Sequence, residues 1–174
     1  MTEDHTGSDA RKRFIERFGG VVEHAPWVAE EVWGQYPEVA TADESQDLSE
    51  AFGRVIRAAP RERQLELLRA HPDLACGLAA PGSLTGDSLA EQQGAGLDQC
   101  SPDEFLEFQS LNLEYKATFG FPFIIAVKGL DRKEILNRFR DRIERSPGEE
   151  FSTAIENVIR IVGFRIAQKL EQHG

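Results

Sequence analysis

Residues 101–127 read SPDEFLEFQSLNLEYKATFGFPFIIAV, and this stretch decides the fold. Ser101-Pro102 is a helix start, because serine accepts from exposed backbone N–H groups and proline fits a first helical turn. Phe105, Phe108, Asn112 and Tyr115 follow at helical spacing, and Gly120-Phe121-Pro122 breaks the helix. The apolar run Phe123 to Val127 has the composition of a strand. A strand needs a neighbour to satisfy its backbone, and no second run of this kind occurs in the chain. The run therefore reads as a buried extended or helical segment.

Working outward, helical signals continue in both directions. Upstream, Ser8 or Asp9 is a candidate cap for a helix carrying Phe14, Ile15 and Phe18, which Gly19-Gly20 stops. Pro26 opens a helix through Trp27, Val28 and Val32. The polar stretch Thr41 to Asp47 reads as a loop. Leu48 to Ala59 and Arg61 to Ala70 read as helices flanking Pro60. Residues 71–87, HPDLACGLAAPGSLTGD, are rich in glycine, proline and small residues, and long stretches of this kind inside a domain tend to be functional. Helix signals return at Ser88. Downstream, Asp131 to Arg145 and Ser146-Pro147 to Gln172 give two last helices. The pattern predicts an all-α fold: a polar flexible tail over residues 1–10, then a single multi-helix domain over residues 11–174.

Composition narrows the function. The 174-residue chain carries a net charge of -10, which disfavours nucleic acid and anionic membrane surfaces. An anionic small molecule would need a local cation in its pocket. No apolar run is long enough to span a membrane, and the acidic N-terminus MTEDHTGSDA does not resemble a signal peptide. The last residues carry no Ser-Lys-Leu type address. Cys76 and Cys100 read as two free thiols of a cytoplasmic protein. No metal is expected, since the four histidines, His5, His24, His71 and His173, form no ligand pair.

Three features can carry chemistry. Pro72 pushes His71 out of the α region, so the helix before it should end there and set the imidazole at a chain corner. Histidine suits proton transfer near neutral pH, although a histidine packed on a helix end is the commoner outcome of such spacing. Next, Ser88, Glu91 and Gln92 share one helix face at i, i+3 and i+4. The same Ser-x-x-Glu spacing is also a capping box, which would give Glu91 a structural task. Finally, Arg165 sits at the edge of the last helix's apolar stripe of Ile155, Val158, Ile159, Val162, Ile166 and Leu170, while Arg160 falls on the opposite face. Arg165 either snorkels from the core boundary or offers a planar fork to a carboxylate.

Taken in order, HPDLA at 71–75, SLAEQQGAGL at 88–97, N-x-x-Y-x-x-x-FGFPFI at 112–124 and I-x-x-x-R at 161–165, with EHAPW at 23–27, resemble the 2-oxo-4-hydroxy-4-carboxy-5-ureidoimidazoline (OHCU) decarboxylase family. The likeness runs from about Phe14 to Leu170. It departs at Cys76-Gly77-Leu78, where the family often has a glycine and a basic residue. The resemblance implies an all-helical homodimeric carboxy-lyase that needs no cofactor and turns a ureidoimidazoline derived from urate into (S)-allantoin. It implies His71, Glu91 and Arg165 as catalytic residues, and Pro72, Ser88, Gln92 and the segment Phe123, Ile124, Ile125, Ala126, Val127 as substrate-binding. Two other readings compete with it: a hydrolase or lyase on a related ureide, and a helical ureide-binding or interaction module without turnover.

Overall fold

A computed structural model describes residues 5–42, 45–74 and 85–172. Among them there are helices and turns and no strand, as the periodicity predicts. The chain divides into two compact units, one of residues 1–67 with 159–174, the other of residues 68–158.

The first unit holds α1 (His5–Phe18), α2 (Trp27–Gln35), α3 (Pro37–Ala42), α4 (Ser45–Ala58), most of α5 (Arg61–Arg69) and the second half of α9 (Pro147–Glu171). Helix α1 begins at His5, ahead of both candidate caps. The loop read over residues 41–47 is corrected at both ends. Pro37 opens a six-residue helix that runs to Ala42, and α4 starts at Ser45. The apolar stripe of α4, Leu48, Phe52, Val55 and Ile56, is buried as the spacing requires. Helix α2 packs against α1, α3 and α4, and Phe14 meets Phe18 and Trp33 with ring centroids 5.1 and 5.5 Å away. Burying a phenylalanine contributes about 1.5–3 kcal/mol, so these rings supply a large share of this unit's cohesion.

The second unit holds α6 (Gly86–Gly94), a 3-10 turn at Leu97–Gln99, α7 (Pro102–Phe119), α8 (Arg132–Ile143) and the first half of α9. The start of α7 follows the sequence reading. Ser101 Oγ accepts from Glu104 N–H at 3.2 Å, and Glu104 returns a carboxylate to Ser101 N–H at 2.8 Å. Its end uses Gly120 at φ 77°, a left-handed conformation open to glycine at no steric cost. Asp131 caps α8 in the same reciprocal way with Glu134. Between α7 and α8 the run Phe123 to Val127 is non-helical and buried throughout. Tyr115 lies among Phe119, Phe121, Phe123 and Phe139, at centroid distances of 4.5, 5.9, 5.3 and 5.8 Å.

Candidate active site

In the second unit, α5 ends at Arg69 and the chain turns at His71-Pro72, as the proline dictates. The His71 N–H donates to Leu68 O at 3.2 Å, and the side chain is 8% exposed. Residues 71–74 are tied down from two helices. From α6, Gln92 Nε2 donates to Asp73 O at 3.4 Å. From α7, Asn112 Nδ2 donates to Leu74 O at 2.8 Å, and Lys116 Nζ pairs with Asp73 Oδ2 at 2.6 Å. Arg69 adds a bond from Nε to Gly120 O at 3.1 Å. The turn that carries His71 is therefore held against α6 and α7 by side chains far away in sequence. The remainder of the small-residue stretch, 75–84, lies outside the described residues.

The N-terminus of α6 departs from the Ser88 capping box. Thr85 is the cap, and its Oγ1 accepts from Ser88 N–H at 3.4 Å. Thr85 has the extended backbone a cap needs, and Gly86 and Asp87 fill the first turn, with the acidic residue at the positive end of the helix. Ser88 thus lies inside the helix. It is buried, as is Gln92 one turn later, while Glu91 on the same face is half-buried. With the cap assigned to Thr85, Glu91 sits in the second turn and has no capping position to fill.

The segment Phe123 to Val127 is fixed by two side chains of the same unit. Arg142 Nη1 donates to Ile124 O at 2.8 Å, and Ala126 N–H donates to Asn157 Oδ1 at 3.0 Å. Arg142 is itself held by Glu150, whose Oε1 accepts from Arg142 Nε at 2.7 Å, from Arg142 Nη2, and from Tyr115 OH at 2.5 Å. The Arg142 guanidinium also lies 4.4 Å from the Phe123 ring centroid, and Phe123 stacks on Phe139. Burial, and next the Glu150 carboxylate that accepts its hydrogen bond, push the Tyr115 hydroxyl far above the usual phenol range. Sequence reasoning missed this group. The available signal was a charge on an apolar stripe. Arg142 continues the series Ile135, Phe139 on α8, and Glu150 precedes Ala154 and Val158 on α9.

In the first unit, Arg165 is 2% exposed, which removes the snorkelling alternative, since a snorkelling head group stays in water. Its Nη1 lies 3.3 Å from Glu23 Oε2 and 3.4 Å from Val21 O. Glu23 belongs to the EHAPW stretch and is equally buried. Its neighbour His24 is exposed and has φ 53°, a left-handed backbone conformation uncommon outside glycine. Arg160 is exposed, as its helical angle requires.

Among the described residues no cluster of three or more His, Cys, Asp or Glu side chains could hold a metal ion.

The described residues thus define a small helical protein without strands, in which a histidine-proline turn is pinned to a Ser/Glu/Gln helix face and an arginine–glutamate pair is buried. Comparisons with known proteins narrow the class. The family profile described as OHCU decarboxylase matches residues 8–167. The 2-oxo-4-hydroxy-4-carboxy-5-ureidoimidazoline decarboxylase of Halalkalicoccus jeotgali is 38% identical over 97% of this chain and 91% of its own length. The mouse (Mus musculus) protein of the same name is 37% identical over 92% of this chain and 88% of its own. Among solved structures, an (S)-allantoin synthase superposes with a TM-score of 0.73 at 27% identity, over 94% of this chain. This chain spans about half the length of that synthase, 53%. An OHCU decarboxylase crystallised in the presence of (S)-allantoin gives a TM-score of 0.61 at 25% identity, covering 78% of this chain and 89% of that one. The chain is a member of the OHCU decarboxylase family.

Proposed function

We propose that this protein decarboxylates OHCU to (S)-allantoin in urate degradation, with no cofactor. The substrate brings its own electron sink. Its carboxylate is attached to a ring carbon beside a C=N unit. The bond to the carboxylate breaks, its electron pair moves into the C=N unit, and carbon dioxide leaves. The hydroxyl proton passes to the nitrogen that received the pair, the hydroxyl-bearing carbon becomes a carbonyl, and one proton is added to one face of the neighbouring carbon. The protein's tasks are to orient the carboxylate, manage the hydroxyl proton and supply that one proton.

In this reading His71 handles the proton, Glu91 hydrogen-bonds to its partner in that transfer, and Arg165 orients the anion. Pro72, Ser88, Gln92 and Phe123 to Val127 bind the substrate. The observation that carries the reading is the bond from Gln92 to Asp73 O, which ties the His71 turn to the helix of Ser88 and Glu91 in a member of this family. An apolar surface on α7, with Leu106 62% and Leu113 74% exposed, supports a homodimer, because residues seven apart share a face that a second copy can cover. No helix among the described residues is long and apolar enough to cross a membrane, in keeping with a proposed cytoplasmic location. Residues 11–174 serve as one catalytic domain in this reading.

The test is to add freshly generated OHCU and follow carbon dioxide release together with (S)-allantoin by circular dichroism. Release of carbon dioxide with dextrorotatory or levorotatory excess matching the (S) product is expected from the wild type and not from His71→Asn. Binding of (S)-allantoin without any turnover would instead mark the chain as a ureide-binding module.

A further inference from the structure

Glu23 is a buried carboxylate that the proposed mechanism does not use. It is 2% exposed, and its Oε2 stands 3.3 Å from Nη1 of Arg165, the arginine proposed to orient the substrate carboxylate. The backbone fixes its place. Between α1 and α2 the chain folds through successive turns, in which Val21 N–H donates to Phe18 O at 3.1 Å and Ala25 N–H to Val22 O at 3.2 Å. The Val21 and Val22 side chains are buried, so the turn that carries Glu23 is anchored in the core. The same turn brings Val21 O to the same arginine nitrogen, at 3.4 Å. Glu23 is therefore a resident neighbour of the guanidinium and not a surface group that an arriving anion displaces into water.

Neither stability nor affinity accounts for a carboxylate at this place. Burying an ion pair costs so much desolvation that an apolar pair of similar volume is often as stable. A site built only to grip an anion would keep its arginine clear of a competing negative charge. The pair meets through one nitrogen and one oxygen, without the two parallel bonds of a tight fork.

We infer that Glu23 is a positioning residue that moderates the grip of Arg165, so that the substrate carboxylate is oriented without being over-stabilised before it leaves. The inference rests on the proposed OHCU activity and on the proposed task of Arg165. In that reaction the negative charge departs from the carboxylate. The bond to the ring carbon breaks, its electron pair moves into the C=N unit, and the carboxyl group leaves as neutral carbon dioxide. An uncompensated Arg165 would favour the ground state, where the charge sits on the carboxylate. In the transition state that charge has begun to move to the ring, and only interactions that strengthen toward the transition state speed the step. Glu23 offsets part of the positive charge and leaves the planar guanidinium to set direction.

Glu23→Gln keeps an acceptor for Nη1 and removes the charge, while Glu23→Asp keeps the charge on a shorter arm. The probes are hydantoin-5-acetate and its uncharged amide, ring ureides of matched shape. In the wild type the two should bind within about tenfold of each other, a reading that needs no variant to fold. In folded Glu23→Gln the acetate should gain at least about tenfold in affinity while the amide is unchanged, the low end of the coupling between close charges. For OHCU, kcat and KM should fall together, at least about fivefold each, the pattern of an over-stabilised ground state. Glu23→Asp should restore most of kcat. A purely structural Glu23 would instead give a Gln variant that binds both probes more weakly and has a raised KM. That result overturns the inference, as does a folded Glu23→Gln with unchanged kcat and KM, or a wild type that prefers the acetate by more than about tenfold. Each of these leaves the decarboxylase reading intact. A wild type that releases no carbon dioxide from OHCU overturns both.

Discussion

Glu23 Oε2 lies 3.3 Å from Arg165 Nη1, and both side chains are almost wholly removed from solvent. Two buried charges in contact cannot be exchanged one at a time without leaving the other uncompensated. Glu23→Gln should therefore lower stability by about 3–5 kcal/mol, read as a lower urea midpoint. Arg165→Lys keeps the charge but not the planar fork, so it should fold and yet lose most of its allantoin formation. Arg160→Lys, on the exposed face, should behave as wild type. Equal activity of the two lysine variants would confine Arg165 to its pairing with Glu23.

At the start of α6, capping and chemistry can be separated by mutation. Thr85→Ala removes the cap and should cost about 1 kcal/mol of stability. Glu91→Gln leaves the cap untouched and should reduce turnover at least about tenfold, the effect of weakening a proton-transfer pair. Thermal unfolding and steady-state rates on both variants give the comparison. A Glu91→Gln protein with normal turnover would take Glu91 out of the mechanism.

The two anchors that α7 sends to the His71 turn should differ in weight. Asn112→Ala leaves Leu74 O without its donor at a half-buried site, at a cost of about 1–3 kcal/mol, and should depress turnover by loosening the turn. Lys116→Ala breaks an ion pair whose side chains are 45% and 42% exposed, so its effect should stay below about 1 kcal/mol. Denaturant titrations would rank them, and the opposite ranking would contradict the account of how the turn is held.

Tyr115 gives a pH prediction. Burial and the Glu150 carboxylate raise its folded pKa, so the native state favours the neutral phenol. That stabilisation is fully present below the unfolded phenol's pKa of about 10 and is lost as pH rises from there toward the folded value. In a Tyr36→Phe background, ultraviolet titration should show no phenolate at Tyr115 until the second unit unfolds. Reversible ionisation near pH 10 in folded protein would contradict the buried bond to Glu150.

The parts of the fold that were legible in the sequence are local ones. Ser101-Pro102 with Glu104, the break at Gly120-Phe121-Pro122, and the α4 stripe each lie within a turn or two of chain, where spacing alone carries the signal. The six-residue helix at Pro37 is too short to show a period, so residues 41–47 read as loop. Thr85 and Ser88 are both good caps by residue type, and Glu91 made Ser88 look the better one. The long-range ties were not legible. Arg165 pairs with a residue 142 positions away, and Asn112 with one 38 away, and no periodicity records such distances. The motif order pointed to His71, Ser88, Glu91 and Gln92 and included Glu23 without giving it a task, but it did not point to Arg142, Glu150 or Asn157, whose tasks only emerge from packing.

The ring of phenylalanines around Tyr115 has a practical consequence. Both tryptophans, Trp27 and Trp33, lie in the first unit, whereas Tyr115 lies in the second. With Tyr36 replaced by phenylalanine, each unit carries its own native optical reporter: indole fluorescence for one, the near-ultraviolet dichroism of a single immobilised phenol for the other. The molecule thus comes already labelled for asking whether its halves melt together. Coincident transitions mean one cooperative folding unit, and a gap between them means that one half can open while the other keeps its structure.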